Sequence, residues 1–224
     1  MPSREILSVH GLGVTFQSGI ELFSNVSFTI ETGEFVVLFG GNGSGKSTLL
    51  RCLAGISTPS CGEISIDPEP LDGVARRVGL VFQNPEHQMI EPCVEEEIAL
   101  GLELAGVKSE EIAERVEEEI AKFDLQRIRL QRPEALSGGQ MQKVALASIL
   151  IMRPAFVLLD EPDSLLDAPS RREFMEAVDH IRKDHGILWA CADAERLPQA
   201  TRYLSLTSSG VELASREQIL ETEY

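Results

Sequence analysis

Short apolar runs alternate along this chain with stretches in which apolar residues recur at helical spacing. Phe35-Val36-Val37-Leu38-Phe39, Ala155-Phe156-Val157-Leu158-Leu159 and Ile187-Leu188-Trp189-Ala190-Cys191 are continuously apolar, which suits strands covered on both faces. The N-terminal part reads as strands of shorter period. Ile6–Val9 and Gly13–Phe16 flank a predicted turn, and Ile20–Phe23 and Val26–Ile30 alternate with period two. Gly62–Ile66 and Val78–Phe82 predict two further strands, separated by a loop marked by Pro68, Pro70 and Gly73. Leu49 to Leu53 predicts a helix after the third strand, and Val94 to about Arg129 changes to helical texture. There Ser109 is the expected cap of a helix whose apolar face is Ile112, Val116, Ile120 and Phe123. Glu110, Glu111, Glu114, Glu117, Glu118 and Glu119 form its other, solvated face. A helix opens near Leu136-Ser137-Gly138-Gly139-Gln140, and another runs from Pro169 to a stop at Gly186. A hairpin over Arg202–Leu206 and Val211–Leu213, then a short helix, completes an α/β chain with an inserted helical segment.

Composition narrows the function. At 224 residues and 43% hydrophobic, the chain can bury one substantial domain. A net charge of −16 argues against broad nucleic-acid binding and against direct adhesion to anionic lipid. No apolar run reaches the roughly 18 residues of a spanning helix, and the first residues do not open a signal peptide. Cys52, Cys61, Cys93 and Cys191 form no C-x-x-C pair and are read as buried free thiols of a cytosolic protein.

The chemistry concentrates at Gly40-Gly41-Asn42-Gly43-Ser44-Gly45-Lys46-Ser47-Thr48, between a strand and a helix start. Glycines there let successive backbone N–H groups turn inward as an anion nest at the positive end of a helix. Lys46 reaches the terminal phosphates of a nucleoside triphosphate, and the Ser47 hydroxyl is a magnesium ligand. Hydrolysis also needs an oriented water and a base. Asp160, at the end of an apolar strand, suits the magnesium shell, and Glu161 beside it suits the base, although an Asp-Glu pair there could also serve as a helix cap. Gln83 follows another strand and could contact both magnesium and water. Phe16 is either sheet packing or a stacking plate for the base. Ser137, Gly138, Gly139 and Gln140 offer a hydroxyl, bare N–H groups and a helix dipole to an anion. One chain does not need two phosphate sites for one nucleotide, so this second loop is read as serving a nucleotide held by another subunit.

With these motifs in this order, nearly the whole chain resembles the ATP-binding cassette family. Gly40–Thr48 matches its Walker A loop, Phe156–Glu161 its Walker B strand and Leu136–Gln140 its signature. Gln83 matches the Q-loop and Ser164-Leu165-Leu166-Asp167 the D-loop. Val81–Gln88 with Val94–Ala99 looks most like the ATPase subunits of energy-coupling-factor importers of cobalt, nickel or vitamins. The resemblance implies a RecA-like P-loop core (residues 1–90 and 152–224), an N-terminal antiparallel β part and an inserted helical part at about 91–151, together one domain. It implies ATP and Mg²⁺, with Ser47, Gln83 and Asp160 toward the metal, and Phe16 on adenine. It implies a head-to-tail dimer with a second ATPase subunit, in which Ser137–Gln140 and Asp167 face the partner's ATP. It further implies integral membrane partners at the cytoplasmic face of a membrane. A regulatory or scaffolding module acting without a transporter is the alternative.

Three positions depart from the family pattern. Ala192 stands where the switch histidine belongs, and alanine has neither donor nor proton. Asp163 replaces the usual Thr, and Lys143 the usual Arg. Either Glu161 alone drives a slow hydrolysis, or this chain is half of an asymmetric pair whose partner carries the histidine.

Overall fold

The computed structural model describes residues 4–66, 69–70 and 77–222. By compactness they form two units. One gathers the chain up to Leu80, Ala155–Glu161 and the part from Arg182 on; the other gathers Val81–Pro154 and Pro162–Ile181.

The first unit holds two sheets among the described residues. The smaller has β1 (Ile6–Thr15), β2 (Glu21–Glu31), β4 (Cys61–Ile66) and β5 (Glu69–Pro70) in the order β2-β1-β4-β5, antiparallel throughout. The larger has the order β10-β9-β3-β8-β7-β6, from β3 (Phe35–Phe39), β6 (Val78–Val81), β7 (Phe156–Asp160), β8 (Gly186–Cys191), β9 (Arg202–Thr207) and β10 (Gly210–Ala214). Strands β9, β3, β8 and β7 run parallel, and every residue of β3, β7 and β8 is buried, as their unbroken apolar sequences require. Register aligns Phe39 with Cys191 and Asp160 with Ala190, so the carboxyl ends of the three central strands come out side by side. Helix α1 (Lys46–Leu53) follows β3 and buries Leu49, Leu50, Cys52 and Leu53.

The second unit contains α2 (Val94–Leu104), α3 (Ser109–Lys122), α4 (Gly138–Leu150) and α5 (Ala168–Ile181). Ile112, Val116 and Ile120 are the buried stripe of α3, and Phe174, Val178 and Ile181 that of α5. The chain ends its described part in α6 (Arg216–Thr222), in the first unit.

Several expectations need correction. The predicted turn between Ile6–Val9 and Gly13–Phe16 is a bulge within one strand. Gly11 takes a φ of 57° and the register shifts between Val9 and Leu12, so pairing continues across it. Likewise, Asn25 at φ 53° bends β2 without ending it. Ser109 is the first residue of α3 rather than its cap; Lys108 holds that position, with no side-chain bond to the helix. Gly186 opens β8 instead of stopping α5, which ends at Ile181. A side chain there would sit 2.6 Å from the Phe156 ring, and this close approach accounts for the glycine. Pro70 lies in β5, while Pro68 and Gly73 fall outside the described residues. Cys52 and Cys191 are buried free thiols as expected, but Cys61 is exposed and Cys93 only half-buried. Glu119 leaves the solvated face of α3: it is half-buried, and burial pushes its carboxyl up despite Lys122 beside it.

Candidate nucleotide-binding site

In the first unit the phosphate loop leaves β3 at Phe39 and is tied to β8 by Gly40 N–H donating to Cys191 O at 3.2 Å. Gly43 and Gly45 take φ values of 78° and 99°, left-handed geometry that lets the loop double back before the helix. At Gly45 a side chain would also meet Phe23 Cδ1 at 2.7 Å. No side chain caps α1, so its first N–H groups are not taken by a capping side chain, as an anion site requires.

Lys46 is buried, and its ammonium donates to Gly40 O at 2.7 Å and Gly41 O at 3.2 Å. It also pairs with Glu161 Oε1 at 3.1 Å. One residue on, Ser47 Oγ donates to Asp160 Oδ1 at 2.9 Å. Residues distant in sequence are thus brought together: Lys46 on Glu161 and Ser47 on Asp160. A hydroxyl and a carboxylate oxygen side by side fit a hard cation that takes oxygen ligands and fills its remaining positions with water and phosphate.

Burial, helped by the neighbouring Glu161 charge, raises the Asp160 carboxyl above its ordinary value, and the Ser47 hydrogen bond offsets this only in part. A carboxyl raised by folding contributes stability that is fully present below its unfolded pKa and is lost as pH rises through its folded value. Asp160→Asn, which keeps an acceptor for Ser47, therefore stabilises the nucleotide-free chain at pH 7. The gain fades as the pH falls from 7 and the carboxyl takes up its proton. Denaturant unfolding of both proteins across that range is the check.

Glu161 leaves β7 with a φ of 44°, a left-handed conformation that disfavours a side chain by about 1 kcal/mol or more. Its N–H donates to Ala190 O at 3.2 Å, which fixes the bend. Ala192 follows the end of β8, directly after the residue aligned with Phe39. The unit's own histidines are elsewhere. His10 faces Glu63 in the smaller sheet, and His185 precedes β8 at its opposite end, roughly 20 Å of strand away. Phe16 lies just past β1 rather than in it. It is 49% exposed, so it is no core residue, and its backbone is fixed by exchange with Gly19 and Ile20.

The second unit carries Gln83, Ser137–Gln140 and Asp167. Ser137 caps α4 in a reciprocal box: Gln140 N–H donates to Ser137 Oγ at 3.3 Å, and Ser137 N–H to Gln140 Oε1 at 2.9 Å. The hydroxyl accepts in this box, so its proton is left to donate to an anion. Gln83 is exposed, and its amide donates to Ser164 Oγ at 3.5 Å. Asp167 is exposed and accepts from Ser170 N–H at 2.9 Å; the Ser170 side chain first, and this N–H after it, hold its carboxyl below the usual range. Sequence reasoning missed Gln142. It is buried on α4 and donates from Nε2 to Gln83 O at 3.3 Å. A polar residue among Val144, Leu146, Ala147 and Leu150 was the available signal.

A family model described as ABC transporter matches residues 23–164. The chain is 35% identical over 96% of its length to the energy-coupling factor transporter ATP-binding protein EcfA1 of Streptococcus pneumoniae, covering 84% of that protein. It is 38% identical over 93% of its length to EcfA1 of Geobacillus kaustophilus, covering 78% of it. In structure it is similar to CbiO1 of Clostridium perfringens, described as part of the ABC transporter complex CbiONQ. The TM-score is 0.85 at 27% identity, over 97% of this chain and 91% of the other. The chain belongs to the ABC transporter family, with its P-loop α/β fold, and is an ATPase of that family. Within it, the curated relatives it resembles are the ATP-binding proteins of energy-coupling factor transporters, as the motifs around Gln83 imply.

Proposed function

We propose that this chain binds and hydrolyses Mg-ATP to power an importer of the energy-coupling-factor type, working as half of a head-to-tail pair of ATPase subunits. The observation that carries the reading is the convergence of Lys46 on Glu161 and of Ser47 on Asp160 beneath an uncapped helix. Gly40–Thr48 wraps the phosphates with backbone N–H groups, and Lys46 moves from the Gly40 and Gly41 carbonyls to the β- and γ-phosphates. That exchange releases Glu161 from its ion pair, leaving a carboxylate to take the proton of the attacking water. The new bond forms from water oxygen to the γ-phosphorus as the bond to the β–γ bridging oxygen breaks. Ser47 and Asp160 would hold a magnesium ion between their oxygens. Bound there, the ion neutralises developing charge on the phosphates. The exposed Phe16 ring stacks on adenine.

Ser137–Gln140 and Asp167 belong to the partner's nucleotide in this reading, and the free proton of Ser137 suits its γ-phosphate. The helical part at about 91–151 and the core at 1–90 and 152–224 act as one ATPase domain. Ala192 beside the loop weakens this chain's own site, so we favour an asymmetric pair whose other member carries a histidine there. The second unit presents an open groove of about 610 Å³ whose lining includes apolar Ala99, Ile112, Val116 and Leu130 and acidic Glu96 and Glu103. Among the described residues no helix is long and apolar enough to cross a membrane. An integral membrane partner on the helical part therefore suits the reading and holds the chain at the cytoplasmic face. Affinity purification of the tagged chain from detergent-solubilised membranes tests it. Integral membrane proteins and a second ATPase subunit should come down with it in fixed ratio; recovery of the chain by itself would leave a free regulatory module instead.

A further inference from the structure

The loop Asp163–Asp167 is tied at both ends to one residue of α5. Asp163 is buried, and its carboxylate pairs with Arg171 Nε at 2.6 Å. At the other end, Arg171 N–H donates to Asp167 O at 2.9 Å. Leu166 N–H donates to Asp163 O at 3.1 Å and closes the turn between them. The middle of the loop is held by Gln83 on Ser164, and Gln83 is held in turn by Gln142 of α4. What the loop shows to solvent is Leu165, 68% exposed, and the Asp167 carboxylate. A buried carboxylate is tolerated where a cation meets it, and removing one partner leaves the other charge stranded. Threonine, usual at this position in the family, would offer Arg171 no charge.

We infer that Asp163 and Arg171 are positioning residues: their ion pair sets the loop Ser164–Asp167 in the shape in which it meets a partner subunit's nucleotide. The inference rests on the head-to-tail reading. Preorganisation explains why an exposed loop carries a buried charge pair at its base: a loop already in shape loses less freedom when the pair closes. Gln142 extends the same frame to α4, whose N-terminus is the Ser137 loop, so both donated segments share one scaffold within the unit.

Steady-state ATP hydrolysis by the purified transporter complex, with nucleotide affinity measured separately by fluorescent ATP, tests this. Asp163→Asn and Arg171→Gln should each lower kcat about tenfold and leave ATP affinity within about twofold, since the loop touches no phosphate of its own chain's site in this reading. Arg171→Lys, which keeps the charge, should recover to within about threefold of the parent. The double variant should be no worse than either single one, as expected of two ends of one interaction. Should Asp163→Asn fail to fold, the two variants of the partly exposed Arg171 still decide. Unchanged kcat in both single variants, a parallel loss of ATP affinity, or multiplying losses in the double variant would overturn the inference. Ser137→Arg separates it from its foundation, because a bulky side chain there blocks the partner's γ-phosphate. If that variant hydrolyses normally, the head-to-tail reading fails and the inference with it. If it is inactive while the Asp163 and Arg171 variants are normal, the inference alone is lost.

Discussion

Glu161→Gln should leave the purified chain binding Mg-ATP while lowering its hydrolysis about a thousandfold, within the range that a positioned general base supplies. Glutamine keeps the size of the side chain and an oxygen for Lys46, so the contact at 3.1 Å can persist as a hydrogen bond from the ammonium to the amide oxygen. What disappears is the group that takes a proton from the attacking water. The left-handed bend at residue 161 is unchanged, because its anchor is the backbone bond to Ala190 O. Binding and chemistry should therefore separate cleanly: fluorescent-nucleotide titration gives an affinity equal to or tighter than the parent, and phosphate release nearly stops. A loss smaller than tenfold would place the base elsewhere and leave Glu161 as a partner of Lys46 only. In the assembled complex the same substitution should matter less than Ser137→Arg, if the competent site is the one this chain completes for its partner.

How much of this could be read beforehand depends on how local each feature is. The phosphate loop was legible because its glycines, Lys46 and Ser47 act within one strand-turn-helix, and no distant contact is needed to specify it. The buried parallel strands were legible for a similar reason, since an unbroken run such as Phe156–Leu159 has no polar face to offer water. The bulges at Gly11 and Asn25 were not. A residue at positive φ reads as a turn, and only cross-strand pairing reveals that the strand continues past it. Ser109 was misplaced by one position because the preference for serine at a cap also makes it acceptable in the first turn. The contact of Gln142 with Gln83 was invisible, as it depends on how α4 packs against a loop far away in sequence. Asp163 was visible as a departure but not as a charge pair, because nothing in the sequence places Arg171 on it.

Ala192→His should raise ATP hydrolysis by the purified chain, by up to about a hundredfold. Register supplies the reason. β8 lies between β3, which feeds the phosphate loop, and β7, which ends in Asp160 and Glu161. A side chain at 192 thus leaves the sheet between the phosphate nest and the base. Alanine contributes nothing there, and His185 precedes β8 at its opposite end. An imidazole could hold the γ-phosphate or the attacking water while Glu161 takes the proton. The gain should follow the charge of that imidazole, with the rate changing across a pH of about 6.5 only in the variant. It should also disappear in the double variant with Glu161→Gln, because a positioned water still needs its base. An Ala192→His protein with parent-like hydrolysis and pH profile would mean that slowness at this site, if measured, comes from something other than the missing histidine. The asymmetric pair would then lose its main support in this chain, whereas the phosphate loop and the Lys46–Glu161 contact would keep theirs.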